Sequence, residues 1–232
     1  MMIMANPSRT EKRENIPYPV WEFNYKPEKF VHHSWVSNLP NADLIQKLIN
    51  EDSSQQSTRL SHHLMSQLGF DGKFYFDFSD PITKLALWHG NDLEKLVYHV
   101  GILFYFDEIR HKIARNDVRK YRTELGSELY NFALTRAPSL KKKQLKQVEL
   151  PRSMPIKQKV LVAGLIALFT AMKGYPVPLL KRLVVKLPRK WFDAFVHYSK
   201  DAEIPGGSSG NIAIVEIIMN ELKLEHVMEN HK

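Results

Sequence analysis

The chain has 232 residues, 44% of them hydrophobic and 25% charged, and a net charge of +8. That length suits one sizeable core or two small ones. It holds no cysteine, which excludes disulfides, a thiolate nucleophile and Cys-ligated zinc or iron–sulfur sites and fits a reducing cytoplasm.

Residues 1–20 are polar, with Pro7, Pro17 and Pro19, and read as a loose arm. The opening MMIMANPSRTEKREN has no apolar stretch of signal length. In WEFNYKPEKFVHHSWVSNLP, residues 21–40, Trp21, Phe23 and Tyr25 alternate with polar residues. Alternation predicts an extended segment that Pro27 interrupts, with a short helix through PEKFVHHSWV after it.

Helical spacing follows. Asn41 is placed to cap a helix carrying Leu44, Ile45, Leu48 and Ile49. Leu60, Leu64, Met65 and Leu68 define the next, ending at Gly69. Asp71-Gly72 with Phe74, Phe76 and Phe78 predicts a small hairpin or an extended aromatic loop at 70–78. Asp80-Pro81 opens another helix. The longest element is NDLEKLVYHVGILFYFDEIRHKIAR, capped by Asn91 or Asp92 and apolar nearly all round from Val97 to Phe106, hence central. One helix is expected from Asn116 or Asp117 through Ala133. A basic, proline-bracketed stretch near 137–155 is the linker candidate. Val160–Met172 is a 13-residue apolar run closed by Lys159 and Lys173. A bilayer core takes about 20 residues, so this is a buried helix of a soluble protein. Short amphipathic helices follow at 176–188 and 189–200, then a DAEIPGGSSGN loop and a final helix. The reading is an all-α protein of roughly nine helices: an arm at 1–20 and one compact domain at 21–232.

Reactive motifs are thin. PGGSSGN has no Lys before its serines, as a phosphate-binding loop needs, and GGSSG lacks the spacing of a nucleophile elbow. The His32-His33 and His62-His63 pairs diverge on a helix, and no HExxH occurs, so packed or surface histidines are favoured over metal ligands. His89 with Asp92, and His99 with Glu94 or Asp107, form no known catalytic set.

Charge is the stronger signal. Residues 136–191 carry 14 basic side chains against Glu149 alone, while the flanking regions are acidic overall. Such a block is a solvated face or a dock for an acidic partner. Nucleic-acid binding by the same segment is the alternative, and an unrecognised hydrolase a distant third.

FNYKPEKFVHHSWVSNLP resembles the N-terminal signature of the SctK (YscK/PscK-like) family of type III secretion, through Phe23, Tyr25, Pro27, Phe30, His32, Leu39 and Pro40. LEKLVYHVGILFYFDEIRHKI is similar to the family's Leu-Gly helix, through Leu96, Gly101, Ile109 and Arg110. AGLIALFTAMKGYPVPLLKRLVVKLP resembles its small-residue helix and following Arg-Leu-x-x-x-Leu-Pro, through Gly164, Leu165, Ala171, Met172, Arg182, Leu183, Leu187 and Pro188. The three come in the family's order over about residues 21–190.

The resemblance implies a helical, non-enzymatic adaptor of the sorting platform without a cofactor. It would bridge the cytoplasmic domain of the inner-membrane ring protein (SctD-like) to the pod protein (SctQ-like), and through it the SctL stalk and SctN ATPase. Its place would be the cytoplasmic face of the inner membrane, held there by partners. Basic residues at 141–159 and 181–190 are the expected partner face, with Lys141, Lys142, Lys143, Lys146, Lys157, Lys159, Lys181, Arg189 and Lys190 as its contacts. The opening aromatics are expected to pack over the helical core, with His32 hydrogen-bonded in that clasp.

Overall fold

Pro17 and Pro19 pre-set the backbone for a helix start, and the chain enters one at once. A computed structural model describes residues 16–51, 54–140, 148–200 and 207–229, and all regular structure among them is helical. The first helix, α1 (Tyr18–Tyr25), occupies the segment expected to be extended. Alternating aromatics over five residues cannot separate the two forms. Burial does, because Val20, Phe23 and Asn24 share one helix face while Trp21 and Tyr25 are only half-buried. A 3-10 turn (Pro27–Lys29) and the single-turn α2 (His33–Val36) replace the one short helix expected next. His32 caps α2, its Nδ1 accepting from the Ser34 N–H at 3.2 Å.

α3 (Ala42–Glu51) and α4 (Ser54–Gln67) follow. Ile45, Leu60, Leu64 and Val36 form a small separate core between them and α2. α4 ends as expected at Gly69, in the left-handed region at φ 67°, where the Phe70 N–H donates to the Met65 carbonyl.

The 70–78 stretch is the aromatic loop, not the hairpin, and no strand forms among the described residues. Its backbone finds a side chain instead of a second strand. Buried Asn24 donates from Nδ2 to the Tyr75 carbonyl at 2.6 Å, and its Oδ1 accepts from the Tyr75 N–H at 2.8 Å. Asp80 caps a turn rather than a full helix, accepting from the Ile82 N–H before a 3-10 segment (Thr83–Leu87).

α5 (Gly90–Arg110) starts just before the expected caps, with His89 at the N-cap and Asp92 in the first turn, where its charge suits the helix dipole. α6 (Arg115–Leu125) likewise takes Asn116 and Asp117 inside its first turn. The single helix expected from there is broken at Gly126 (φ 83°), giving α7 (Ser127–Thr135) and then α8 (Ala137–Leu140). The linker candidate is described at α8 and at 148–155, where Val148 and Met154 are buried. α9 (Ile156–Ala171) is the apolar run. α10 (Val177–Val185), α11 (Arg189–Tyr198) and α12 (Gly207–Glu229) complete the chain. α12 begins inside the expected GGSSG loop, with Asn211 Nδ2 bonded back to the Gly207 carbonyl.

α5 and α9 form the axis of the core, and α7, α8, α11 and α12 pack around them. They cross at two glycines. A Cβ on Gly101 would lie 2.7 Å from the Val160 carbonyl carbon, and one on Gly164 would lie 2.8 Å from that of Val97. The pairing of 97 with 164 and 101 with 160 makes the helices antiparallel. Arg136 ties α7 to α12, donating from Nε to Glu221 at 2.6 Å.

Candidate functional site

α10 with its C-cap carries Leu179, Arg182, Leu183 and Lys186 at i, i+3, i+4 and i+7, a stripe that faces inward. Two cations therefore enter the core. Arg182 is 0% exposed and Lys186 5%, which removes both from the basic face expected at 181–190. The Arg182 guanidinium lies 4.6 Å from the Phe70 ring centre and 5.6 Å from that of Phe23. Its Nη2 donates to the Asn24 carbonyl at 3.3 Å. The Lys186 ammonium lies 5.0 Å from Phe30 and 5.7 Å from Phe23, and donates to the Trp88 carbonyl at 2.8 Å. The opening aromatics are thus a cage for α10, closed by cation–π contacts. Here the Phe23, Phe30 and Arg182 of the resembling motifs meet.

Burial pulls the Arg182 guanidinium down to about 10 and the Lys186 ammonium down to about 8, with Tyr25 and Glu22 respectively pulling back. For Lys186 the folded chain resists protonation more than the unfolded chain does. The penalty is complete below about 8 and relieved as pH rises toward the ordinary 10.5. Lys186→Met keeps the volume and removes the charge. Relief of about 3 kcal/mol, less about 1 for the bond lost by the Trp88 carbonyl, leaves a net gain of about 2 at pH 7. Thermal melts of both proteins across pH 7 to 10 check this: the Met variant melts higher at pH 7, and its advantage shrinks above about pH 8.

The expected partner residues fall in different places. Lys141, Lys142, Lys143 and Lys146 lie outside the described residues. Lys159 turns inward, its ammonium 3.8 Å from Glu108. Glu108 also accepts from the Tyr121 hydroxyl at 2.9 Å. Lys181 is exposed beside the end of α4, near Gly69, where a cation suits the helix dipole.

Lys157, Arg189 and Lys190 are exposed beside partly buried aromatic rings of α2, α5 and α11. The Arg189 guanidinium stacks 5.5 Å from Trp35, whose indole donates to the Leu187 carbonyl at 2.9 Å. The Arg189 N–H donates to Ser34 Oγ. Phe192 lies beside Trp35 at 6.2 Å and touches Phe195 and Phe169. The Lys157 ammonium sits 5.7 Å from the Tyr98 ring, which meets Trp191 edge-on at 5.4 Å. Burial raises the Glu94 carboxyl above its usual range and Lys190 pulls it back. Burial, then the charges of His33 and Lys190, keep His32 below its ordinary value. This surface was half legible: its cations stood out, but Trp35 and Tyr98 lie far from α11 in sequence.

His99 is buried, while His33, His62, His63, His89 and His111 are exposed. His99 Nδ1 bonds the Lys95 carbonyl at 2.8 Å and its ring meets Phe132 edge-on. His111 Nδ1 bonds the Asp107 carbonyl. Among the described residues no group of three or more His, Cys, Asp or Glu is placed to hold a metal, and no helix is long and apolar enough to cross a membrane.

No curated protein and no solved structure gives a significant match to the chain. A family model does, that of YOP proteins translocation protein K (YscK), over residues 18–203. The matched span runs from the first residue of α1 past the end of α11. It takes in the cation cage, the glycine crossing and the α11 surface together. The chain belongs to the YscK family and is a component of type III secretion.

Proposed function

We propose that this chain is a non-enzymatic adaptor of the sorting platform. It joins the cytoplasmic domain of an SctD-like ring protein to an SctQ-like pod protein, and through the pod to the SctL and SctN components. Its place is the cytoplasmic face of the inner membrane. One observation supports an adaptor role most directly: exposed Arg189 and Lys190 lie at the partly exposed rings of Trp35 and Phe192, with Lys157 over Tyr98 nearby on α5. Aromatic anchors with an arginine are the composition of binding hot spots, and rim cations steer an acidic partner.

The paired reversal Arg189→Glu with Lys190→Glu tests the surface. Capture of a purified acidic partner domain should weaken at least about tenfold, mostly through a slower on-rate, and its salt dependence should flatten. The melting temperature should stay within about 2 °C, because both side chains are exposed. A second reversal at Lys141, Lys142 and Lys143 separates the two halves of the expected basic face. If capture of both ring and pod proteins is untouched by both variants, the surface is wrongly assigned. Tight binding to DNA or RNA at physiological salt in a mobility-shift assay would move the reading to a nucleic-acid regulator.

A further inference from the structure

Charge is sorted by side around α6 and the turn that leads into it. Arg115, Arg119 and Arg122 fall at i, i+4 and i+7 and so share one row of the helix. Lys120 on the same helix and Arg110 at the end of α5 are exposed with them. Among the described residues none of the five has an ion-pair partner. The carboxylates of the same stretch are withdrawn: Asp107, Glu108, Asp117 and Glu124 are all half-buried. Glu124 accepts from the Ile156 N–H at 3.0 Å, and Glu108 from the Tyr121 hydroxyl. Burial, then Glu108, Asp117 and Glu124, raise that hydroxyl above its ordinary value, so the three carboxylates converge on the inner side of α6. Ile113 stands in the turn between α5 and α6 and is 89% exposed. At that exposure it contributes nothing to the core, and its neighbours in the chain are Lys112 and, two residues on, Arg115.

An unpaired row of cations calls for an anionic surface. The exposed residues of α6 are arginine, lysine, asparagine and threonine, with no aromatic ring on which bases could stack. Nor does an isoleucine gain anything among phosphates. An acidic protein face would need a pocket for Ile113 in register with carboxylates for the arginines. An anionic bilayer needs no such match: cations lie among its headgroups while an apolar side chain enters the acyl boundary. α6 cannot itself sink into a membrane, because Val118, Tyr121 and Leu125 on its other side are packed against the core. The contact is therefore one row of cations and one anchoring side chain.

We propose that α6 and the turn before it form a docking face for an anionic lipid bilayer, with Arg115, Arg119 and Arg122 against the headgroups and Ile113 inserted beyond them. The face lies outside the basic 136–191 segment. It gives the chain a lipid contact of its own, in addition to the partners expected to hold it at the membrane. It goes beyond the adaptor reading and does not rest on it.

The test uses the full chain and phosphatidylcholine vesicles with or without about one-third phosphatidylglycerol, at about 0.1 M salt. Co-sedimentation should capture the chain on the anionic vesicles and not on the neutral ones. Arg119→Gln with Arg122→Gln should lower the partition coefficient at least about tenfold, at about fivefold per cation. Equal charge loss on α11, through Arg189→Gln with Lys190→Gln, should lower it no more than about threefold, because salt screens charges distant from the bilayer. Ile113→Ser should lower it at least about fivefold. All these side chains are exposed, so melting should stay within about 2 °C. The chain holds no cysteine, so Ile113→Cys offers a single thiol for an environment-sensitive dye. Its emission should shift to the blue on anionic vesicles, and lipids brominated on the acyl chain should quench it. Equal capture on neutral vesicles, an α6 pair no more sensitive than the α11 pair, indifference to Ile113→Ser, or a dye that neither shifts nor is quenched would each overturn the proposal. So would duplex DNA or polyglutamate bound through the same arginines without vesicle capture, because the face would then serve a soluble polyanion.

Discussion

Gly164→Ala should destabilise the protein by about 3 kcal/mol, although alanine is the better helix former. Two effects oppose one another. Helix propensity favours alanine by about 1 kcal/mol. Against it, the new Cβ would sit 2.8 Å from the Val97 carbonyl carbon and 3.1 Å from Val97 Cγ1. The carbonyl belongs to a helix backbone and cannot rotate away, so α5 and α9 must separate along the axis on which the core is built. Gly101→Ala meets Val160 in the same way. At about 3 °C per kcal/mol for a chain of this size, each variant should melt about 9 °C lower. The two should not add: once one methyl has parted the helices, the second finds room. Gly210→Ala is the internal control, because nothing lies within 4 Å of a Cβ there. It should gain up to about 1 kcal/mol. Calorimetry on the four proteins decides it, and an unchanged melt for the Gly101 and Gly164 variants would mean the crossing is looser than described.

These glycines also show what a sequence can carry. Gly101 and Gly164 appeared as motif positions, and α5 and α9 as long apolar runs, because a central helix announces itself by being apolar all round. That the two glycines face each other's helix was not legible, since it depends on an antiparallel register between two helices far apart in sequence. The cage failed for a different reason. Arg182 and Lys186 read as surface because charge usually is. The signal against that lay in their phase: with Leu179 and Leu183 they complete the inward stripe of α10. α1 was misread because Trp21, Phe23 and Tyr25 fit a strand, and only the burial of Val20 and Asn24 identifies the helix. The site was legible in its cations and not in its anchors. Arg189 and Lys190 were named from charge, while Trp35 reaches them only through the fold.

Asn24→Ala should weaken the closed position of the aromatic loop by about 3 kcal/mol and release the loop. The side chain is buried and makes three bonds: Nδ2 to the Val20 and Tyr75 carbonyls, and Oδ1 from the Tyr75 N–H. Each contributes about 1 kcal/mol, and alanine leaves the Tyr75 groups without a partner. Water can satisfy them only if the loop lifts. Lifting breaks the edge contact of Phe78 with Phe23 at 5.3 Å and parts Phe74 from Tyr25. The Tyr175 hydroxyl, bonded to Asp80 at 2.6 Å, still holds the far end. The change is therefore local: hydrogen exchange at the Tyr75 amide and chymotrypsin cleavage within 74–78 should rise well before the global melt shifts. Asn24→Asp sharpens the test. Its carboxylate still accepts from the Tyr75 N–H but sets a second acceptor against two carbonyls. Burial raises its folded pKa above the unfolded value, so the penalty is complete above that folded pKa and fades as pH falls through it, when a protonated oxygen can donate to Tyr75. Loop protection in the Asp variant should recover in mild acid, while in the Ala variant it should not. Recovery in neither would show that Asn24 does not pin the loop.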